Sequence, residues 1–549
     1  MPVLPPLTVD GALDEVPDRV DVLVIGAGIT GAGVALDAAH RGASVLLVDR
    51  GDIASGTSSR SSRLVHGGAR YLATGDVAMV AEGVRERERL RRMAPHLVLP
   101  LPFVIPADST ADLALLRVGM TAYDALAGGR GVGRHRRLRP VEVLAAAPGL
   151  AGGFRHGGVR YHDCRTDDAR LTLEVARAAA VHGATVAPHV AVTALEGHRG
   201  RVGRAHLRDL LTDETRTVDA GHVVSAAGVW AGEVQGLGAS ATPGTSPLDV
   251  VGARGIHLVF DRVDLPVNTA IVLPSASGDG RRLFVIPWGP QVYVGTTDDP
   301  HEGSFDDVTV ARDDTAYLLA GLRAAFGVDL RVEDAVGAWV GLRPLLRGAA
   351  GAATADLSRR HTVVAGPPGL LSVTGGKLTT FRAMAADVVD RLAAEAGWTR
   401  RSGTVDLRLG STGPVAVDRE RVRAAAAAAG VDRWYADGLH HRHGTRAIAL
   451  LAQAHERGET DPLIEGLPYL RGEVRWSAQH ERAGRLDDVL SRRLRLSTRH
   501  RAAGGRAAIA DAATMVAEEL DWGTRRRDAE VAGYLEAVRT ERGAVPLTA

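Results

Sequence analysis

The sequence predicts an α/β fold. It has a Rossmann-like dinucleotide-binding domain, an antiparallel-sheet domain set against it, and a helical C-terminal domain. Three observations predict this. A β-branched run enters a glycine fingerprint near the N-terminus, strands of β-branched and aromatic residues recur in the middle, and helical patterns broken by glycine fill the C-terminal part.

Residues 21–33 read DVLVIGAGITGAG. Val22–Ile25 has the make-up of a buried parallel strand. It enters Gly26-x-Gly28-x-x-Gly31. Val34–His40 then reads as a helix and Ser44–Val48 as a second strand, ending at Asp49. In such a βαβ unit Gly26 permits the tight turn, Gly28 lets the backbone approach a pyrophosphate, and Gly31 lets helix and strand pack closely. The helix N-terminus attracts phosphate, and Asp49 stands where an acid binds a ribose hydroxyl. A dinucleotide site follows. Further on, VDAGHVVSAAGVWAG (218–232) has a strand followed by small residues, which fits a second strand returning to the nucleotide as in flavin folds. SGTSSRSSRLVHGG (55–68) offers hydroxyl and N–H donors suited to a phosphate and an isoalloxazine ring.

FVIPW (284–288) and VYVGTTD (292–298) have the content of antiparallel strands. RERVRAAAAAAG (419–430), GTRAIALLAQAHERG (444–458) and ADAATMVAEELDW (510–522) read as helices. A length of 549 residues implies several domains. The net charge of +1 supplies no field for nucleic acid. The single cysteine, Cys164, rules out an internal disulfide framework, fits a reducing compartment and is expected to be a packed thiol. The N-terminus does not read as a signal peptide, and no run of about 18 apolar residues occurs, so a cytoplasmic location is expected. One residue stands out: among 66 basic side chains Lys377 is the only lysine, in TGGKLTT (374–380).

Seven motifs carry a resemblance. They are SGTSSRSSRLVHGGARYL (55–72), DCRTDDARL (163–171), RGIHLVF (254–260), FVIPW (284–288), VGTTD (294–298), GLRPLL (341–346) and SVTGGKLTT (372–380). In order and spacing, from about residue 20 to 390, this set resembles the FAD-dependent, quinone-linked glycerol-3-phosphate dehydrogenases. The helical C-terminal part resembles the family's cap more loosely. The resemblance implies an FAD-binding Rossmann-like domain of the glutathione-reductase/D-amino-acid-oxidase type. It implies oxidation of sn-glycerol 3-phosphate to dihydroxyacetone phosphate, with electrons passed to a membrane quinone. A FAD-dependent oxidoreductase domain is expected over 20–395. Its flavin parts would be 20–100, 160–245 and 335–395, and its substrate-sheet parts 101–159 and 246–334. A linker at 396–412 and a helical domain at 413–549 would follow.

The resemblance also implies site residues. For substrate they are Arg70, Tyr71, His257, Arg343, Arg359 and Lys377, with Arg343, Lys377 and His257 at the chemistry. Arg359 is the looser match, with Arg360 adjacent. For FAD they are Gly26, Gly28, Ile29, Thr30, Gly31, Asp49 and Arg50; Thr57, Ser58, Ser59, Ser62, Arg63, Leu64, His66, Gly67 and Gly68; Val190, Ala227, Gly228 and Trp230; and Gly376, Lys377, Leu378 and Thr379. No metal site is expected. Arginine forks suit a phosphate dianion, and a compact ammonium suits a crowded site as a point charge. Either His66 or His257 has a suitable ordinary pKa for proton transfer, and the base stays unassigned. Asp298 reads as holding a turn.

Other readings stay open: a glycerol-3-phosphate oxidase using O₂, or an amine or hydroxy-acid oxidase. The cationic set Arg70, Arg343 and Lys377 argues for phosphate over carboxylate. Peripheral contact with the inner face of the cell membrane is implied, and a homodimer is left open. RHRRLR (134–139) and SRRLRLSTRHR (491–501) resemble interfacial basic patches, whereas RERERLRR (85–92) alternates with acids.

Overall fold

The computed structural model describes residues 12–548 apart from 73–74, 129–130, 152–153, 199–200, 239–247, 348–359 and 412. β1 (Arg19–Ile25) runs through Gly26 into α1 (Ile29–His40), and β2 (Val45–Asp49) lies parallel to β1. The helix starts directly after Gly28, earlier than the Val34 expected from pattern, because Thr30–Gly33 carries too little apolar periodicity to read. The mainly parallel sheet runs Thr362–Ala365, Leu370–Thr374, Thr215–Ser225, β1, β2, Thr185–Pro188. The hairpin Val190–His198/Arg201–Asp209 continues it from Thr215–Ser225. One face is covered by α1, Asp168–Val181 and Phe381–Ala396, which share a core with Val22, Val24 and Val224.

A second, ten-stranded and mostly antiparallel sheet lies beside it. Its long strand Val250–Asp261 pairs on one side with Gln291–Gly295 and on the other with Gly337–Leu346. Here the expected partition needs correction. Residues 160–165 and 335–346, placed with the flavin parts, belong to this second sheet. Gly158–Arg165 pairs antiparallel with Leu99–Pro106 along its whole length, and Gly337–Leu346 does the same with Val250–Val259. Both strands bury most of their residues. Their partners are distant in sequence, so motif position alone cannot assign them.

The 396–412 segment is not a loose tether. Ser402 donates to Asp37 at 2.6 Å, the Leu409 N–H donates to the Met93 carbonyl at 2.7 Å, and Leu409 is buried. Helices from Val415–Ala428 to Thr524–Arg542 follow. Cys164 is a buried free thiol, pushed up to about 12 by burial.

Candidate functional site

The C-terminal ends of β1, β2, Thr215–Ser225 and Leu370–Thr374 open on a cavity of about 1030 Å³. That is where doubly wound sheets bind ligands, and the size is at the upper end of the roughly 300–1,000 Å³ usual for ligand pockets. Gly26, Gly28, Ile29, Thr30, Asp49, Arg50, Thr57, Ser58, Val190, Ala227, Gly228, Trp230, Gly376, Lys377 and Leu378 all line it.

The fingerprint glycines have separate jobs. Gly26 turns at φ +105, where a Cβ would strike the Ala226 carbonyl at 2.7 Å. A Cβ on Gly31 would lie 1.8 Å from the Gly26 carbonyl, so helix and turn touch there. Gly31 is therefore packing and not cavity wall. A Cβ on Gly28 would meet only Ser58 Oγ, at 3.1 Å, so the N-terminus of α1 faces open space that phosphate oxygens can fill. The Ile29 N–H donates to that same Ser58 Oγ at 2.9 Å. Asp49 accepts from Ala27 N at 2.6 Å and Gly51 N at 2.8 Å. Each carboxylate oxygen has a further lone pair for a ribose hydroxyl. Burial raises the Asp49 pKa despite these bonds. The buried indole N–H of Trp230 meets no acceptor among the described residues, which leaves a donor on the cavity wall. Arg50 lies over the Trp230 ring at 4.9 Å and pairs with Asp306. These donors and this open helix end fit a dinucleotide such as FAD.

The flavin segment 55–68 is pinned from the second sheet. On one face of that sheet stand Ala253, Gly255 and His257 opposite Arg343, Gly341 and Trp339. Glycine at 341 is required because a Cβ would strike the Arg60 carbonyl at 2.6 Å. Trp339 Nε1 donates to the Ser61 carbonyl, Tyr293 Oη to the Ser62 carbonyl and Thr57 Oγ1 to the Leu342 carbonyl, at 3.1, 3.0 and 2.5 Å. His257 stacks on Trp339 at 4.5 Å, and its Nε2 lies 2.9 Å from Ser62 Oγ. Burial first, then Arg343 and Arg63, hold its pKa well below the ordinary value, so the imidazole is neutral at neutral pH. Arg343 reaches Asp298 at 3.2 Å and Thr296 Oγ1 at 3.1 Å. Asp298 therefore orients Arg343, a contact beyond the turn expected of it.

Lys377 belongs to a second group. It follows Gly375 and Gly376, both in the left-handed region at φ +75 and +78, at the end of strand Leu370–Thr374. Its Nζ stands 3.9 Å from the Tyr71 ring centroid, and the Arg70 guanidinium lies 4.8 Å from the same ring. Cation–π attraction holds both cations on one aromatic platform. Arg360 pairs with Asp76 at 2.8 Å, and Asp76 also feels the charge of Lys377. Arg359 lies outside the described residues. The two groups adjoin the flavin segment at different points, one at its end, Gly68, and one at its middle, Ser62.

Several expected cofactor contacts lie behind the cavity wall. Arg63, at φ +56, turns its guanidinium into the core, 4.0 Å from Trp288 and 4.2 Å from Trp339. Burial, then Arg495, pushes it down to about 10. Arg63 is thus an aromatic-core cation and not a cofactor ligand. Leu64 sits in the second sheet paired with Arg165, and Ser59 is buried against the C-terminal domain. The Gly67 N–H is taken by Tyr123 and Asp163, and Thr379 accepts from the His66 N–H at 3.1 Å. Sequence reasoning missed Asp52, Arg60, Asp306 and Glu541, which stand in or beside the wall. Nothing local in the sequence signals them, because their partners are remote in the chain.

Comparison with known proteins agrees with this geometry. Residues 21–382 match the FAD dependent oxidoreductase family, and 404–527 match the C-terminal domain of alpha-glycerophosphate oxidase. The chain is 37% identical to a glycerol-3-phosphate dehydrogenase of Mycobacterium leprae, over 95% of this chain and 89% of that one. It is 36% identical to glycerol-3-phosphate dehydrogenase 2 of Mycobacterium tuberculosis, with the same coverage. It superposes on the structure of glycerol-3-phosphate dehydrogenase from Bacillus halodurans complexed with FAD with a TM-score of 0.77 and 27% identity, covering 96% of each chain. The chain belongs to the FAD dependent oxidoreductase family, in the branch of the glycerol-3-phosphate dehydrogenases.

Proposed function

We propose that the protein oxidises sn-glycerol 3-phosphate to dihydroxyacetone phosphate and passes the electrons to a quinone. FAD, when bound, supplies the two-electron acceptor for the hydride leaving the secondary alcohol. One observation carries the reading: two separate cationic groups stand beside the flavin segment, Lys377 with Arg70 on Tyr71 next to Gly68, and Arg343 on Asp298 next to His257, which meets Ser62. A phosphate dianion needs several cations, and a polarised alcohol oxygen needs another.

In this reading Arg343 and Lys377 bind and orient the substrate's oxygens. Asp298 and Thr296 hold the Arg343 fork in plane. His257, neutral and fixed by Ser62 and Trp339, keeps an imidazole able to accept a proton at neutral pH. Tyr71, under Lys377, and Arg360, paired with Asp76, complete the substrate wall on that side.

The lone lysine now has a physical reading. Its ammonium must sit on the Tyr71 face beside Gly68, where a Cβ would lie 3.5 Å from Nζ. A guanidinium is wider than that gap favours. Lys377→Ala is expected to keep FAD and lose about 10²–10³-fold in turnover of sn-glycerol 3-phosphate with a dye acceptor, as for loss of one oxyanion donor. Lys377→Arg is expected to be impaired too. Wild-type rates in Lys377→Ala would remove it from the site.

Contact with the inner face of the cell membrane is part of the proposal. Helix Thr110–Ala127 exposes Leu115 (71%) and Val118 (68%), and the next helix exposes Val141 (62%). Exposed Arg134, Arg136, Arg137 and Arg139 lie between them in sequence. This pattern suits an interfacial surface, and among the described residues no helix is long and apolar enough to cross a membrane. Reoxidation by a quinone rather than by O₂ separates this reading from an oxidase.

A further inference from the structure

The C-terminal helical domain does more than cover the fold. Its last helix, Thr524–Arg542, contributes Gly533, Glu536, Ala537, Thr540 and Glu541 to the cavity wall. Glu541 pairs with Arg60 at 2.7 Å, and Arg60 in turn donates to the Gly56 carbonyl of the flavin segment at 3.3 Å. Arg495 donates to the Ser59 carbonyl at 3.0 Å. The loop after β2 is held as firmly. Asp52, three residues beyond Asp49, takes Arg492 Nε at 2.6 Å and both Arg493 Nη atoms at 2.7 and 2.8 Å.

The same loop is gripped from its other side. The His189 N–H, at a residue with φ +60, donates to the Gly51 carbonyl at 2.9 Å, and the His189 ring lies 2.8 Å from Asp488. Asp488 also accepts from Arg492 Nη2 at 2.5 Å. Asp52, His189 and Asp488 lie close enough together to hold a metal ion, but here the two guanidinium groups occupy the carboxylates. A single π-helical turn, Asp488–Arg493, lets the adjacent Arg492 and Arg493 reach one carboxylate. A buried charge cluster of this kind is favourable only when complete, since removing one partner strands the others.

We propose that this domain is a clamp for FAD. Arg492, Arg493 and Glu541 are positioning residues that fix the Asp49–Asp52 loop and the flavin segment, so that FAD binding and docking of the C-terminal domain are one coupled equilibrium. The inference rests on the cavity being the FAD site, which the yellow colour of the purified full chain and its loss in Gly28→Val test separately. Coupling is reciprocal: whatever the domain does for FAD retention, FAD does for domain docking.

Trypsin reads this directly, because the chain's basic residues are arginines save one. Arg492, Arg493, Arg495 and Arg499 are buried, whereas Arg134, Arg136 and Arg137 are exposed. Stripping FAD from the full-length protein is expected to speed cleavage at 492–499 about tenfold, within the usual span of coupling, and to leave cleavage at 134–137 unchanged. Equal rates at 492–499 with and without FAD, or an equal rise at both places, overturn the proposal. Asp52→Asn is expected to release FAD about tenfold faster, read by flavin fluorescence, with turnover restored by excess FAD. The control Arg471→Met breaks the Arg471–Asp511 pair inside the helical domain and should leave FAD release unchanged. If Asp52→Asn holds FAD like the wild type, or Arg471→Met loses it equally, the domain is not a clamp.

Discussion

Two arginine-rich segments read alike in sequence and have opposite fates. RHRRLR (134–139) exposes its arginines beside an exposed apolar helix face. SRRLRLSTRHR (491–501), expected as a second interfacial patch, buries Arg492, Arg493, Arg495 and Arg499. The difference lies in their partners. Arg495 pairs with Asp167 at 2.7 Å and with Asp168, and Arg499 donates to Gln291 at 2.9 Å over the Trp288 ring. These partners lie hundreds of residues away. A charge run reports composition; burial depends on acids and rings brought to it by the fold.

Breaking the buried run should cost most. Arg493→Met leaves Asp52 and Glu481 short of a buried partner and is expected to destabilise the protein by about 3–5 kcal/mol in urea unfolding. A shift below about 0.5 kcal/mol, the usual surface value, would mean that the two segments are energetically alike. The same interface predicts a pH dependence. His96 and His441 meet where the flavin domain and the helices join, with His441 Nδ1 2.6 Å from the His96 carbonyl. Burial pushes them down to about 3 and about 4. The unfolded chain therefore takes up protons near pH 6.5 that the folded chain refuses. Their stabilisation is present above about pH 6.5 and is lost as pH falls towards 4, by about 2 kcal/mol for each histidine at pH 5. His189 acts in the opposite sense, because Asp488 outweighs burial and raises its pKa. The depressed histidines, His257 and His440 among them, outnumber the one that is raised, so the melting temperature should drop between pH 7 and pH 5. A flat profile would contradict the buried, neutral assignment.

The exposed run should respond weakly in stability and strongly in binding. Replacing Arg134, Arg136, Arg137 and Arg139 by serine should change stability by less than about 0.5 kcal/mol for each substitution. It should also weaken sedimentation with anionic vesicles by about 1 kcal/mol per arginine near the surface. Unchanged vesicle binding would move the membrane face elsewhere.

What could be read in advance follows the same division. The fingerprint was legible because its three glycines sit at fixed short spacing between a strand and a helix, where Gly31 must pack on the Gly26 carbonyl. Lys377 was legible as the single exception in an arginine-only chain. Arg63 was misread because a hydroxyl-rich neighbourhood suggests a lining, while its positive φ turns the side chain into the tryptophans. The strand Gly337–Leu346 was misplaced because its pairing with Val250–Val259 has no local signature. Asp52 was invisible because its meaning depends on Arg492 and Arg493, 440 and 441 residues on.

The central claim is tested most directly by anaerobic mixing of the yellow, FAD-loaded protein with sn-glycerol 3-phosphate while the flavin absorbance is followed. Bleaching is expected with this substrate and not with glycerol or lactate, and the colour is expected to return on adding a quinone. A flavin that stays yellow with sn-glycerol 3-phosphate would contradict it, and would make the Lys377 and Arg343 groups a site for another anion.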